Sequence, residues 1–583
     1  MDSDMECKMM RFSAVSAFAS VAALLAHSNV RADGNVAVGG DPYDYKELAV
    51  TSACPVEIAP GLFDFGKDGI GWLELHDAPK GAYAITIGEM TNAGGRVANP
   101  YPGSAIRCQT VGGWVDRPMY RFRMPADPWN LIGYDIDNAP AIALPKWAQI
   151  VFPFRYAQVR KAPAGLKAEN LVRKMVHYPI DMGQSSFKCD NAVLNGLYDF
   201  FKYSILATSF CGVYVDGDRE RTPYEADAYI NQLCQYAIDA DYSLARKSHE
   251  WLMEHPTWPT EWKQHSIMIA WADWMWTGDT RSIAKYWKSL SEDKLLSQYA
   301  RPADGLLLTG GERQKGCVIP DGGDIVDWPP AERDGFDMRP VNGVINAFHY
   351  RNLVELSQMA AALGKSDESR RFLEKSREVR DAYRNVFLNP ETGLFVDGEG
   401  SRHSSLHVNA AAVAFGLAEP AEMPNAVAFL EKKGLACSVY FAQYLLEAFC
   451  KADRADIAVR LMASGGKRSW KAMMDFGSTI SMEAWNMEAK PNQDLNHAWG
   501  AVPLNIISRF ILGVTPMTPG FGRISIAPQP GGLKKIAARV PTAKGVVSIE
   551  IDGARLTVGT PAPSRIVWRG KALDVEAGAH SFD

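Results

Sequence analysis

The sequence predicts a multidomain α+β protein with a central (α/α)6 toroid, an N-terminal β-sandwich and a small C-terminal β-sandwich. Three observations carry that expectation. Short segments broken by Gly and Pro alternate apolar with polar residues up to about residue 170. Helical periodicity dominates from about Cys189 to Ile511, and strand-like alternation returns after Gly513. At 583 residues the chain exceeds one ordinary core, and 47% hydrophobic with 22% charged residues describes a soluble globular chain.

Residues 1–32 read as a secretory signal. Lys8 and Arg11 supply a positive start, Ser13 to Ala26 is apolar but too short for a membrane span, and Val30-Arg31-Ala32 resembles a cleavage site. A periplasmic or secreted location follows as an expectation. No later stretch approaches the ~20 apolar residues of a transmembrane helix, so no membrane is expected in the mature form.

The N-terminal sandwich is expected over 33–170. Trp72-Leu73-Glu74-Leu75, Ala82-Tyr83-Ala84-Ile85-Thr86-Ile87, Tyr120-Arg121-Phe122-Arg123-Met124 and the segment 149–156 all alternate as half-buried strands do. The toroid is expected over 171–513, with helices at 195–208, 226–253, 264–276, 341–363, 366–386, 425–431, 439–451 and 498–512. About a dozen paired helices joined by long loops can close into a ring, which gathers the loops at one end, where a pocket can form. The C-terminal domain is expected over 514–583, with strands at 523–527, 546–551 and 566–568.

Composition narrows the partners. The net charge of -5 carries no basic stripe, which argues against nucleic acid. The 16 Trp and 21 Tyr suit sugar stacking and large cores equally well. Beyond Cys7 in the leader there are eight cysteines and no CxxC pair, so neither a zinc cluster nor a thioredoxin-type site is expected. Cys234, Cys437 and Cys450 lie in helix-like apolar text and read as small buried hydrophobes. The sequence implies no cofactor or metal, and it leaves the oligomeric state open.

Two acidic passages carry the chemistry. The first is Asp216-Gly217-Asp218-Arg219-Glu220-Arg221, followed by Thr222-Pro223-Tyr224-Glu225-Ala226-Asp227. The second is Gly477-Ser478-Thr479-Ile480-Ser481-Met482-Glu483-Ala484-Trp485, with His497 opening the next helix and Asp494 or Asn496 available to cap it. Thr222-Pro223-Tyr224-Glu225 has the form of a capping box, which makes Glu225 a cap and leaves Glu220 in the loop before it. Asp227 falls in the first turns of that helix, where the macrodipole favours a carboxylate. Crowded carboxylates and arginines can set the opposed protonation states that acid–base cleavage of an acetal needs, or can form a surface salt-bridge cluster.

Taken in order, the Arg-Glu-Arg motif, the Gly-Ser-Thr-Ile-Ser-Met-Glu-Ala-Trp motif and Asn496-His497-Ala498-Trp499-Gly500 resemble the bacterial α-L-rhamnosidases of glycoside hydrolase family 78, of the six-hairpin glycosidase superfamily. Pro259-Thr260-Glu261-Trp262, Trp271-Ala272-Asp273-Trp274 and Asp327-Trp328-Pro329 extend the likeness, which covers about Cys189 to the C-terminus. The resemblance implies inverting release of terminal α-L-rhamnose, with Glu220 as general acid and Glu483 as general base. It also implies Asp216, Asp227 and His497 on sugar hydroxyls, and Trp276 and Trp328 as a wall for the 6-deoxy methyl group.

The chain departs from the family around the acid. Arg219 stands where many members have Asp, Tyr224 where they often have Trp, and Asp216 sits closer to the Glu than usual, which makes Asp218 its rival. These departures touch sugar contacts more than reaction class. Glu261, beside a Trp in loop-like text, is a reserve catalytic residue. Competing readings are an inverting glycosidase for another deoxy- or L-sugar, a polysaccharide lyase using Tyr224, His497 and Arg219, or a non-catalytic carbohydrate-binding protein.

Overall fold

The computed structural model describes residues 40–125, 139–320 and 322–583, with the two-residue strand Asp135–Ile136 before 139. The signal-like residues 1–32 lie outside the described residues. Two five-stranded sheets form the N-terminal sandwich. One is built on strands Ala49–Ala53, Leu171–His177 and Ile70–His76, and the other on Leu62–Asp64, Tyr156–Lys161, Gly81–Gly88 and Cys108–Val115. Leu73, Leu75, Ile85, Ile87 and Ala157 meet between them with no exposed surface. Leu73 with Leu75, and Ile85 with Ile87, share a face at the period-two spacing of a strand.

Helices then run from Ala192 to Ile506. Glu225–Tyr236, Thr260–Thr277, Gly343–Ala362, Leu406–Ala414, Ala442–Lys451 and the short Pro503–Ile506 each pack on the next, and the last returns to the first. These inner helices are covered by outer partners. Ser243–Glu254 lies on the first two, Ser366–Phe387 on Gly343–Ala362, Met423–Lys433 on Leu406–Ala414 and Ala455–Met462 on Ala442–Lys451. The result is the expected (α/α)6 toroid. Burial separates the two layers: every residue of Glu225–Tyr236 and of Leu406–Ala414 is buried, whereas Ser366–Phe387 keeps one polar face in solvent.

The burial contrast explains what periodicity missed. Leu406–Ala414 has no polar face to mark it, since His407 and Asn409 are buried with the alanines. The continuous helix expected over 226–253 is broken. Asp239 Oδ1 accepts from Asp241 N at 3.2 Å, and Asp241 Oδ1 accepts from Ser243 N at 3.0 Å, so side chains satisfy the backbone where a helix would have done so.

The C-terminal strands form a five-stranded and a four-stranded sheet. Strand Ser186–Cys189, from the stretch expected to open the toroid, pairs antiparallel with Lys535–Thr542 and so belongs to the C-terminal sheet. Among the described residues no helix is long and apolar enough to cross a membrane.

Candidate active site

The loops that precede the inner helices are tied to one another around the ring. Asp327 accepts from Ser438 N at 2.8 Å and faces His407 Nε2 at 2.7 Å, Leu406 N donates to Asp334, and Gly343 N donates to Asp397 O.

The first acidic passage is a closed loop. Asp216 N donates to Thr222 O at 3.0 Å, Thr222 N returns a bond to Asp216 Oδ1 at 3.1 Å, and Arg221 reaches the left-handed region at φ 55°. The strand-like lead-in is anchored elsewhere: Phe210, Cys211, Val213 and Val215 bury in the core of the N-terminal sandwich. The expected capping box does not form. The helix starts at Glu225 with Tyr224 as N-cap and no side-chain cap, and the Glu225 carboxylate accepts from Thr257 N at 3.1 Å and from its hydroxyl. Glu225 has no exposed surface, so its charge goes to donors of the next loop rather than to its own helix end.

The second passage is pinned on both sides of Glu483. Ala484 N donates to Gln493 Oε1 at 3.0 Å, Trp499 Nε1 donates to Glu483 O at 2.9 Å, and Trp485 Nε1 donates to Cys437 O at 2.6 Å. Ser481 Oγ donates to His497 O and His497 N donates to Ser481 O, both at 2.8 Å.

Arg219 joins the two passages. Its guanidinium donates to Glu220 Oε1 from Nε at 3.1 Å and from Nη2 at 2.8 Å. It also donates to Glu483 Oε2 from Nη1 at 3.0 Å and to Glu483 Oε1 from Nη2 at 3.1 Å. One nitrogen therefore bonds both carboxylates, so Glu220 Oε1 and Glu483 Oε1 are no farther apart than 2.8 and 3.1 Å laid end to end. That is under the ~6.5 Å floor of an inverting pair and close to the ~5–5.5 Å of a retaining one. Tyr224 OH donates to Glu220 Oε2 at 3.0 Å, and Lys490 Nζ stands 2.8 Å from Glu483 Oε1.

Behind the pair, His497 Nε2 faces Asp227 Oδ1 at 2.9 Å and its Nδ1 faces Asp494 Oδ1 at 3.5 Å. Burial works against the imidazolium, but the bonds and charges of Asp227 and Asp494 raise His497 well above the usual histidine range. Burial also opposes the Asp494 anion, yet the His497 bond and charge hold it down to about 2. Burial, and next the charge of Glu220, push Asp216 well above the ordinary carboxyl range, and burial raises Asp227 despite His497.

The predicted residues are thus sorted. Glu220, Glu483 and Tyr224 form one connected cluster through Arg219, His497 of the Asp227–His497 pair comes within 4.8 Å of Glu483, and Asp216 lies near enough to feel the Glu220 charge. Asp218 is turned away into two arginines, Arg221 Nη2 at 2.6 Å and Arg107 Nε at 3.2 Å. Trp276 is not brought to the pair. It packs between Tyr236 and Phe521 near the C-terminal end of its helix, about 20 Å along the axis from Trp262. Trp328 lies half-buried on the Asp327 loop, its amide bonded to Asp327 Oδ1 at 2.8 Å. Glu261 is enclosed in the ring, accepting from Ile325 N and Val326 N, and burial with the Asp324 charge pushes it up to about 8. It organises a loop and has no bond to Glu220 or Glu483 among the described residues.

Sequence reasoning missed Lys490 and the sandwich residues that brace the loops, and it gave Trp262 no role in the site. Trp262 packs edge-on to Tyr224 with ring centroids 5.2 Å apart. From the sandwich, Glu89 Oε1 accepts from Asn496 Nδ2 at 3.0 Å, and Ala105 N donates to Gln493 O at 3.1 Å. No local signal links residues this far apart. Glu483, Asp494 and His497 bring one ligand atom each within 4.8 Å of one another, a spacing a cation could use. Arg219, Lys490 and Asp227 already engage two of those three groups.

Two family descriptions match the chain: the bacterial alpha-L-rhamnosidase 6 hairpin glycosidase domain over residues 183–511, and the bacterial alpha-L-rhamnosidase C-terminal domain over 513–566. An alpha-L-rhamnosidase of Alteromonas sp. (strain LOR) is 23% identical over 326 residues, 52% of this chain and 33% of that protein. One of Streptomyces avermitilis is 23% identical over 281 residues, 46% of this chain and 25% of that protein. The chain thus matches a third or less of these relatives' lengths. The crystal structure of the Streptomyces avermitilis alpha-L-rhamnosidase complexed with L-rhamnose shares the fold at TM-score 0.71 and 17% identity, covering 92% of this chain and 53% of that one. A rhamnosidase from Klebsiella oxytoca with rhamnose bound shares it at TM-score 0.60 and 14% identity, covering 84% and 98%.

Proposed function

The chain belongs to the bacterial α-L-rhamnosidase six-hairpin glycosidase family, and from that premise we propose that it is an exported glycoside hydrolase releasing terminal α-L-rhamnose with inversion. The single observation that supports this most is the convergence of Glu220 and Glu483 on one guanidinium, that of Arg219, which lies 264 residues before Glu483 in sequence. Glu220 protonates the glycosidic oxygen, and Glu483 takes a proton from the water that attacks the anomeric carbon. Asp227 and Asp216 accept sugar hydroxyls, and the His497 imidazolium holds the Asp227 carboxylate in place. Trp262 and Tyr224 provide the apolar wall. The carboxylates open from their Arg219-bridged spacing when sugar and water enter.

The short spacing favours one competing reading, retention with Glu483 as nucleophile. Incubation with a panel of aryl glycosides, with the first-formed anomer followed by NMR, separates the two. Inversion on the α-L-rhamnoside is expected. Glu220→Gln and Glu483→Gln should each lose about 10²–10⁴ in kcat while still binding rhamnose. Retention of configuration, an unsaturated uronate product or full activity in Glu483→Gln refutes the assignment.

A further inference from the structure

We propose that Arg219 determines specificity at this site by selecting a saccharide that carries an anionic group, carboxylate or sulfate ester, beside the scissile linkage. The inference rests on the acid–base reading of Glu220 and Glu483 and extends it to the charge of the substrate. Arg219 is the cation placed between the two reacting carboxyl groups, and its side chain is 16% exposed. Besides its bonds to Glu220 and Glu483, Nη1 donates to Asn492 O at 2.9 Å, on an exposed turn.

That pairing cannot persist through a turnover. A general acid carries a proton, and a protonated Glu220 no longer offers a full charge to the guanidinium. Glu483 keeps a counter-ion of its own in Lys490 Nζ at 2.8 Å. The anomeric carbon and its attacking water have to occupy the space between the carboxyl groups, where Nη2 now sits. The other carboxylates nearby already have partners other than Arg219: Asp227 and Asp494 face His497, and Asp216 Oδ1 accepts from Thr222 N.

In the reacting complex Arg219 is therefore a partly buried cation that has lost the Glu220 charge and shares Glu483 with Lys490, a state disfavoured in a low-dielectric site. A neutral sugar offers only hydroxyl and ring oxygens in return. A carboxylate or sulfate on the adjoining unit offers two oxygens in a plane, the acceptor that a guanidinium fork matches best. The bond from Nη1 to Asn492 O marks the way out, since the head already touches the rim and reaches it by side-chain rotation.

The test compares kcat/KM of the full chain on α-L-rhamnosyl disaccharides that differ only in the second sugar: glucose, glucuronate or glucose sulfate. Wild type should prefer an anionic substrate over the neutral one by roughly ten-fold or more, chiefly through KM, and the two anionic arms identify the preferred group. In Arg219→Gln the ratio should fall to near one whatever the absolute rates, and Arg219→Lys should keep part of it. A wild-type ratio near one on both anionic arms overturns the proposal, as does a ratio that survives in Arg219→Gln. If Arg219→Gln does not fold, a ratio in Arg219→Lys equal to wild type overturns it. Failure to cleave any rhamnoside, the neutral one included, refutes the glycosidase reading itself.

Discussion

Gly217 and Asn496 meet so closely that a side chain on Gly217 has no room. A Cβ there would lie 2.8 Å from the Asn496 carbonyl oxygen and 2.8 Å from Asp494 Oδ2. The amide of the next residue, Asp218, donates to Asn496 Oδ1 at 2.7 Å. The first acidic passage thus packs directly on the loop that follows the second.

Gly217→Ala should spread the loops. Backbone cannot yield as a flexible side chain would, so overpacking of about 1–3 kcal/mol is expected. The effect on kcat should exceed the effect on melting, with at least about ten-fold lower kcat on an aryl rhamnoside. Steady-state kinetics beside a thermal melt checks this, and an unchanged kcat would mean that the contact does not set the carboxyl spacing.

The Asp227–His497–Asp494 network predicts a pH dependence of stability. The folded pKa of His497 is raised above its unfolded value near 6.5. Its contribution is therefore complete below ~6.5 and fades as the pH climbs through the folded value. Asp494 behaves oppositely: with its folded pKa lowered to about 2, its contribution is present above its unfolded value near 3.9 and lost as pH falls toward 2. Urea unfolding of wild type and His497→Gln across pH should show a difference largest in mildly acidic solution and shrinking on the alkaline side. A difference that grows with pH contradicts the charged imidazole.

Trp262 and Trp276 sit on the same helix and should separate by phenotype. Trp262→Phe disturbs the ring against Tyr224 and should raise KM for rhamnosides several-fold. Trp276→Phe disturbs packing with Tyr236 and Phe521 and should cost about 1–3 kcal/mol of stability with KM unchanged. Kinetics that respond to Trp276 rather than Trp262 would return the wall to its sequence-based position.

Arg107 tests whether the sandwich holds the acid loop. It bonds buried Asp218, which Arg221 also holds. Arg107→Ala should lower kcat and stability together, and a double-mutant cycle with Asp218→Asn should give a coupling of about 1–3 kcal/mol. Additive effects would mean that the two domains are independent at this point.

The legible part of the site was chemical and local. Glu220 and Glu483 stood out as candidates by loop position beside aromatic and polar residues, and His497 and Asp227 by their place at helix starts, while their roles came from the family resemblance. Glu225 misled because the Thr-Pro-Tyr-Glu text fits a solvated helix end, whereas this end is buried and its carboxylate is taken by Thr257. Trp276 misled because aromatic content cannot tell which end of a buried helix faces the loops. Lys490 and Arg107 carry no local signature at all, and Asn496 showed only as a possible cap and as part of a motif.

By itself the sequence determined the kinds and order of elements, because apolar periodicity is a property of neighbours along the chain, and it marked where carboxylates could be catalytic. Only the tertiary structure decided which charges meet. Pair energies depend on separation and on solvent exclusion, and both arise from closing the ring and seating the sandwich on it. Whether Arg219 would lie on the surface or between Glu220 and Glu483, and whether Asp218 or Asp216 would be taken up by neighbouring arginines, was settled by that closure.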